Sequence, residues 1–293
     1  MRVVPVTTLD LPALEPYRTL RARTWHWREG FFVAEGEKVV RALLDSRIEI
    51  VSILTSKSWL EALEGSFTAE RGPETVIYLG EDALLEGIVG FPLHQKLLAI
   101  GRIPPNPPLE ELHTRAPGCH VHVALEGLAD AENMGMILRN AAAFGARSLI
   151  HGPDSTSPWL RRSVRVSLGN LFALRIHRAD SLHDTLRRCR EELGWRIVGT
   201  TPRGGDNRIM WDETPGKNEN TAAGGQAGSP GQEPGDRAGH LCLLFGSEAE
   251  GLTDKALALC DAHFSIPMRG GVDSINVANA VAVTLFEAVR GMR

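Results

Sequence analysis

Residues 120–152 read HVHVALEGLADAENMGMILRNAAAFGARSLIHG. The opening HVHVALEG is short and apolar and ends at a glycine, the pattern of a strand. MGMILRNAAAFGA follows with helical spacing, and RSLIHG is a second strand. Strand, helix and strand in succession imply parallel pairing across a helical crossover. The same alternation continues downstream. SLHDTLRRCREELG (181–194) and DKALALCDA (254–262) read as helices; RIVGTT (196–201), LCLLFG (241–246) and HFSIPM (263–268) read as strands. INVANAVAVTLFEAVRGM (275–292) closes the chain as a long helix. The expected architecture is α/β, a mostly parallel sheet with helices on both faces.

Upstream, residues 31–103 form a smaller α/β unit. FFVAEGEKVVRALLDS gives a strand and then an amphipathic helix with Val39, Val40, Leu43 and Leu44 on one side. IEIVSILTS, VIYLG and HQKLLAIGRI follow as strands. Four prolines stand between Ile103 and Leu109, which makes the connector semi-rigid and places a domain boundary there. The expected division is 1–103, a connector over 104–118, and a second domain over 119–293. Residues 215–240 have almost no large apolar side chains and are expected to be a disordered insertion within that domain.

Composition narrows the function classes. With 43% hydrophobic and 23% charged residues the chain can bury an ordinary core. No run is long and apolar enough for a membrane helix, and MRVVPVTTLDLPALEP lacks the layout of a signal peptide. The four cysteines, at 119, 189, 242 and 260, form no CxxC pair, which fits a reducing cytoplasm and argues against a zinc ribbon. His120 and His122 have no third ligand at metal spacing, so no metal site is expected. A net charge of −4 gives no global attraction for phosphate. Any RNA contact must be local, and two basic segments could supply it: Arg21 and Arg23 beside Trp25 and Trp27, and Arg161, Arg162 and Arg165. Either is equally readable as a solvated surface.

Three segments at strand ends carry the chemistry, where ligands bind in open parallel sheets. In ENMGMILRNAAAFGA, Asn133 stands at an N-cap position, and Arg139 lies among the small residues Gly135, Ala142 and Ala143, as though something approaches the helix there; a snorkelling surface arginine is an equally good reading of this segment alone. In LCLLFGSEAEGLTD, a strand meets a glycine-rich turn carrying Glu248 and Glu250, and Thr253 caps a helix. In FSIPMRGGVDSINVANAVAV, a strand runs to Pro267, Ser274 opens the final helix and Asn276 lies just inside it. No GxGxxG follows a strand, and no phosphate loop or GxSxG elbow is present.

Taken together, NMGMILRNAAAFG, FGSEAEGL and IPMRGGVDSINVA resemble, in order, the three motifs of the SpoU/TrmH family of RNA ribose methyltransferases. The first domain is similar to the RNA substrate-binding domain that many members carry. Two departures stand out: Ala131-Glu132 replaces the usual Asp-Pro pair, and the insertion after Thr214 is longer than expected. The resemblance implies a C-terminal trefoil knot and a homodimer joined through the final helix. It also implies S-adenosylmethionine as methyl donor without a metal, bound near Thr200, Gly246, Ile266, Met268 and Ile275. Asn133, Arg139, Glu248, Ser274 and Asn276 fall on the family's functional residues. Arg139 would position the ribose phosphate and stabilise negative charge on the 2′-oxygen, since guanidinium is hard to deprotonate. Glu248 would orient Arg139, Asn133 would contact the RNA backbone, and Ser274 and Asn276 would shape the donor pocket. The extra domain favours ribosomal RNA over tRNA. A non-catalytic RNA-binding protein on the same scaffold and an unrelated nucleotide-binding protein are the competing readings.

Overall fold

The computed structural model describes residues 2–20, 25–63, 65, 75–89, 96–114, 116, 118–202, 204–206 and 239–290. Arg21, Arg23 and all but the last two residues of the 215–240 insertion lie outside them. The chain gathers into two compact units. One comprises Met1–Pro105, Asp130–Arg139 and Thr156–Ala173; the other comprises Asn106–Ala129, Asn140–Ser155 and Leu174–Arg293.

The first unit is built on β1 (Arg2–Val6), short helices α1 (Glu15–Arg18) and α2 (Trp25–Arg28), β2 (Phe31–Glu35), α3 (Glu37–Asp45), β3 (Ile50–Thr55), α4 (Lys57–Leu63), β4 (Val76–Gly80), α5 (Asp82–Val89) and β5 (Leu97–Arg102). Its sheet runs β1-β4-β3-β5-β2, parallel over β1, β4 and β3 and antiparallel on either side of β5. Helix α3 buries Val39, Val40, Leu43 and Leu44, the stripe read from its spacing. Strand β1 was not anticipated, because RVVPV carries a proline that only an edge strand accepts readily. The later segments are held by aromatic packing: the Phe32 ring lies 5.1 Å from that of Trp159 and 5.4 Å from that of Phe172.

The second unit contains α6 (Leu109–Leu112), β6 (Cys119–Leu125), the end of α7 (Ala131–Ala143), β7 (Ser148–His151), β8 (Arg175–Arg178), α9 (Leu182–Glu191), β9 (Arg196–Thr200), β10 (Gly239–Phe245), α10 (Asp254–Leu257), β11 (Ala262–Phe264) and α11 (Val277–Arg290). Helix α8 (Arg161–Val166) belongs with the first. The sheet order is β11-β9-β10-β6-β7-β8, and all five pairings are parallel. The order reverses between β6 and β10, and a crevice lies at the carboxyl ends of β9, β10 and β11. Leu109 and Leu112, from the proline-rich segment, are buried with Trp195, Leu186 and Leu244 in this unit's core. From Asn106 onward that segment is therefore packed rather than a free tether; Asn106 exchanges two hydrogen bonds with the Arg178 backbone. Strand β11 ends at Phe264, three residues before the Pro267 expected from sequence, and β10 starts at Gly239, inside the expected insertion.

Opposite the crevice, the amino ends of β6 and β10 carry a histidine stack. Ser148 Oγ lies 2.7 Å from His122 Nδ1, His122 Nε2 lies 2.9 Å from His240 Nδ1, and His240 Nε2 lies 2.9 Å from the Thr114 carbonyl. A carbonyl only accepts, and this contact is shorter than the 3.4 Å from the Thr114 amide, so His240 carries its proton on Nε2. One arrangement follows: Ser148 donates to His122, His122 to His240, and His240 to Thr114, with both rings neutral. Trp195 stacks on His122 at 3.9 Å between centroids. Burial, reinforced by Arg147 and the neighbouring histidines, holds His122 well below the usual imidazole range and His240 down to about 4. The unfolded chain, with imidazoles near 6.5, then binds the extra protons. Their contribution to stability is intact above pH 6.5 and is lost as pH falls toward 4, with a slope of at most about 2.7 kcal/mol per pH unit for two protons. Thermal unfolding across pH 4–7.5 should show this loss, and His240→Asn should flatten it; an unchanged slope in that variant would refute the assignment.

Candidate active site

The crevice holds a cavity of about 660 Å³ built entirely from the second unit. Thr200 ends β9, Phe245 and Gly246 end β10, and Ile266 and Met268 follow β11. Ser274, Ile275, Asn276 and Val277 complete the wall where α11 begins. All five residues expected to bind a donor, and three of those expected at the reacting end (Glu248, Ser274, Asn276), thus meet around one space. Thr200 turns its hydroxyl onto the Leu244 carbonyl at 2.9 Å, so its side chain secures β9 to β10.

The wall after β10 is a tight turn. Ser247 and Gly251 exchange backbone hydrogen bonds, both 3.1 Å, and Gly251 adopts φ +73°. Gly246 admits no side chain, because a Cβ there would fall 2.0 Å from the Gly251 carbonyl carbon. Glu248, exposed, accepts from the Ala129 amide at 3.2 Å. Thr253 caps α10 by accepting from the Ala256 amide, as expected. Glu126, for which sequence reasoning gave no role, lies at the end of β6 and accepts from the Thr253 amide and hydroxyl. Thr253 is 127 residues away in sequence, beyond the reach of any local pattern.

Helix starts differ from the reading above. Asn276, not Ser274, caps α11: its Oδ1 accepts from the Ala278 amide at 2.8 Å, and the helix opens at Val277. Ser274 lies before the helix and is exposed. Likewise Asp130, not Asn133, caps α7, accepting from the amides of Glu132 (2.7 Å) and Asn133 (2.8 Å). Asn133 is already helical and only 8% exposed.

Arg139 is exposed on α7, and neither it nor Asn133 is among the residues lining the cavity. Arg139 makes no hydrogen bond or ion pair with the described residues. The gap at Gly135 is filled by the chain itself: a Cβ there would come within 2.6 Å of Val166 Cβ and 2.8 Å of the Ser163 carbonyl. Close packing of α7 on α8, rather than an approaching ligand, accounts for that glycine. The arginines of α8 have acidic partners. Arg161 donates to Glu35 at 2.9 Å and to the Leu20 carbonyl, Arg165 lies 3.8 Å from Glu35, and Arg162 pairs with Glu132. Arg161 is thereby tied to structure, while Arg162 and Arg165 keep about half their side chains exposed.

An apolar slot edged by backbone amides and carbonyls suits a nucleoside that carries a short charged chain. Phe245, Leu252, Leu257 and Phe264 form the apolar side, and the 246–251 turn offers main-chain groups. Among the described residues no group of His, Cys, Asp and Glu could hold a metal ion, and no helix is long and apolar enough to cross a membrane.

The profile of the SpoU rRNA Methylase family matches residues 120–286. A protein of Mycobacterium bovis described as an uncharacterized tRNA/rRNA methyltransferase is 29% identical over 96% of this chain and 90% of its own. The 23S rRNA (guanosine-2′-O-)-methyltransferase RlmB of Salmonella typhimurium is also 29% identical, over 87% of this chain and 96% of its own. Among solved structures, an AdoMet-bound rRNA methyltransferase from Sinorhizobium meliloti superposes with a TM-score of 0.78 at 27% identity, covering 99% of both chains.

Proposed function

Starting from the fact that this chain belongs to the SpoU rRNA methylase family, we propose that it is an enzyme that methylates a ribose 2′-hydroxyl of ribosomal RNA, with S-adenosylmethionine as the donor. The observation that carries the reading is the cavity at the carboxyl ends of β9, β10 and β11, where Thr200, Gly246, Ile266, Met268 and Ile275 converge. Bound there, the sulfonium supplies an electrophilic methyl group. The protein's part is to hold the donor with main-chain groups of the 246–251 turn and the 266–275 loop. Arg139 stabilises negative charge as the 2′-oxygen loses its proton and positions the adjoining phosphate. Glu248 orients Arg139 once RNA is bound, a bond absent from the structure; Asn133 meets the RNA backbone, and Ser274 and Asn276 shape the donor's surroundings. Only RNA offers the 2′-hydroxyl.

The rest of the proposal follows from the same family reading. The end of the chain forms a trefoil knot around the donor, and α11 joins two copies into a homodimer. Val283 and Phe286, 42% and 53% exposed on that helix, support the dimer, since apolar side chains of that size favour burial. Residues 1–103 recognise a folded RNA element, with Arg21 and Arg23 as phosphate contacts; on α8, Arg162 and Arg165 add phosphate contacts and Arg161 sets the position of the helix. A ribosomal substrate places the enzyme in the cytoplasm. Purified ribosomal RNA and bulk tRNA, incubated separately with methyl-labelled donor, decide the substrate. Label should enter rRNA at one nucleotide and resist alkaline cleavage there. Label in tRNA alone selects the tRNA reading, and none in either refutes the activity.

A further inference from the structure

Glu126 is a carboxylate whose side chain is only 14% exposed, and it accepts from three donor atoms on Thr253 and His183. Its Oε2 accepts from the Thr253 amide at 2.9 Å, and its Oε1 accepts from the Thr253 hydroxyl at 2.8 Å and from His183 Nε2 at 2.8 Å. A buried charge satisfied in this way is held firmly and holds its partners in return. Glu126 is anchored in its turn, because its own amide donates to the Phe245 carbonyl at the end of β10.

We propose that Glu126 is a positioning residue for the donor-binding turn: through Thr253 it fixes residues 246–252 in the conformation that walls the cavity. Two ties cross between the segment after β6 and that turn, in opposite senses. Glu126 reaches over to Thr253, while Glu248 reaches back to the Ala129 amide. Between them the turn is closed by the Ser247–Gly251 bridge, and residues 246–252 all line the cavity. With the Glu126 tie removed, the turn samples open conformations, and donor binding has to select the closed one, which lowers apparent affinity by the closed fraction. The inference rests on reading this cavity as the donor site.

Calorimetric titration of S-adenosylmethionine into the full chain tests it. Glu126→Gln preserves shape but places an amide donor where one oxygen accepts. The donor Kd should rise about tenfold or more, and the donor KM should rise with it. Turnover at saturating donor and the KM for RNA should stay within about threefold of wild type. Thr253→Val should weaken donor binding several-fold, and Thr253→Ser, which keeps both donors to Glu126, should restore it. Failure of the wild-type protein to bind the donor overturns the reading of the cavity and the inference with it. Wild-type binding with an unchanged Kd in Glu126→Gln overturns the inference alone. Should Glu126→Gln not fold, the Thr253 pair reads the same tie from its other end, and equal affinities for Val and Ser would refute it.

Discussion

Replacing Arg139 by alanine is expected to reduce methyl transfer by about 10²–10³-fold, the loss typical when one preorganised donor to a developing oxyanion is removed. The donor Kd should stay within about twofold, because every residue lining the cavity comes from the second unit and Arg139 is not one of them. Folding should also be spared: the side chain is exposed and makes no ion pair or hydrogen bond with the described residues. The combination is diagnostic. A structural arginine would lower the unfolding temperature, and a donor-binding one would raise the donor KM. A transition-state group lowers turnover while leaving both near their original values. Arg139→Lys should recover only part of the rate, because a point charge cannot offer two parallel donors to phosphate and oxygen. Single-turnover methylation with saturating donor measures the effect directly, and full turnover in Arg139→Ala would remove Arg139 from the mechanism.

Several elements were legible in the sequence because their signals are local. Strand β4 was read to the residue from VIYLG, and α3 from four apolar residues at helical spacing. The residues meeting at the cavity came from family motifs, which summarise long-range geometry that no single window contains. Where local chemistry competed, the reading slipped by two or three residues. Asp130 and Asn133 are both good caps, as are Ser274 and Asn276, and only the backbone decides which side chain meets the free amides. What was not legible is what depends on distant partners. Glu126 meets Thr253, His122 meets His240 across 118 residues, and Arg161 meets Glu35 across 126. The ion pairs of the basic run at 161–165 were equally hidden, because Glu35 and Glu132 lie on other segments.

Gly246→Ala is expected to abolish measurable donor binding and to destabilise the chain by about 3 kcal/mol or more, in the range of other severe backbone and overpacking defects. The added Cβ would lie 2.0 Å from the Gly251 carbonyl carbon, 2.2 Å from its oxygen and 2.3 Å from the Leu252 nitrogen. All three are backbone atoms, so no side chain can rotate away. Relief requires breaking the Ser247–Gly251 bridge and displacing the turn, the same segment that walls the cavity. Gly251→Ala provides the comparison. A Cβ there meets nothing within 4 Å, and the strain comes only from φ +73°, a cost of about 1–2 kcal/mol for a side-chain-bearing residue. The two glycines face each other across one turn, so a general loss of turn flexibility would affect both variants alike. Steric closure predicts a steep order instead: Gly251→Ala folds and binds donor with modestly reduced affinity, and Gly246→Ala does not bind. Thermal unfolding with and without S-adenosylmethionine separates the outcomes, since a variant that binds is stabilised by ligand in proportion to its affinity. A ligand-induced shift in Gly246→Ala equal to that of the wild type would show that the closed turn is not what forms the donor site.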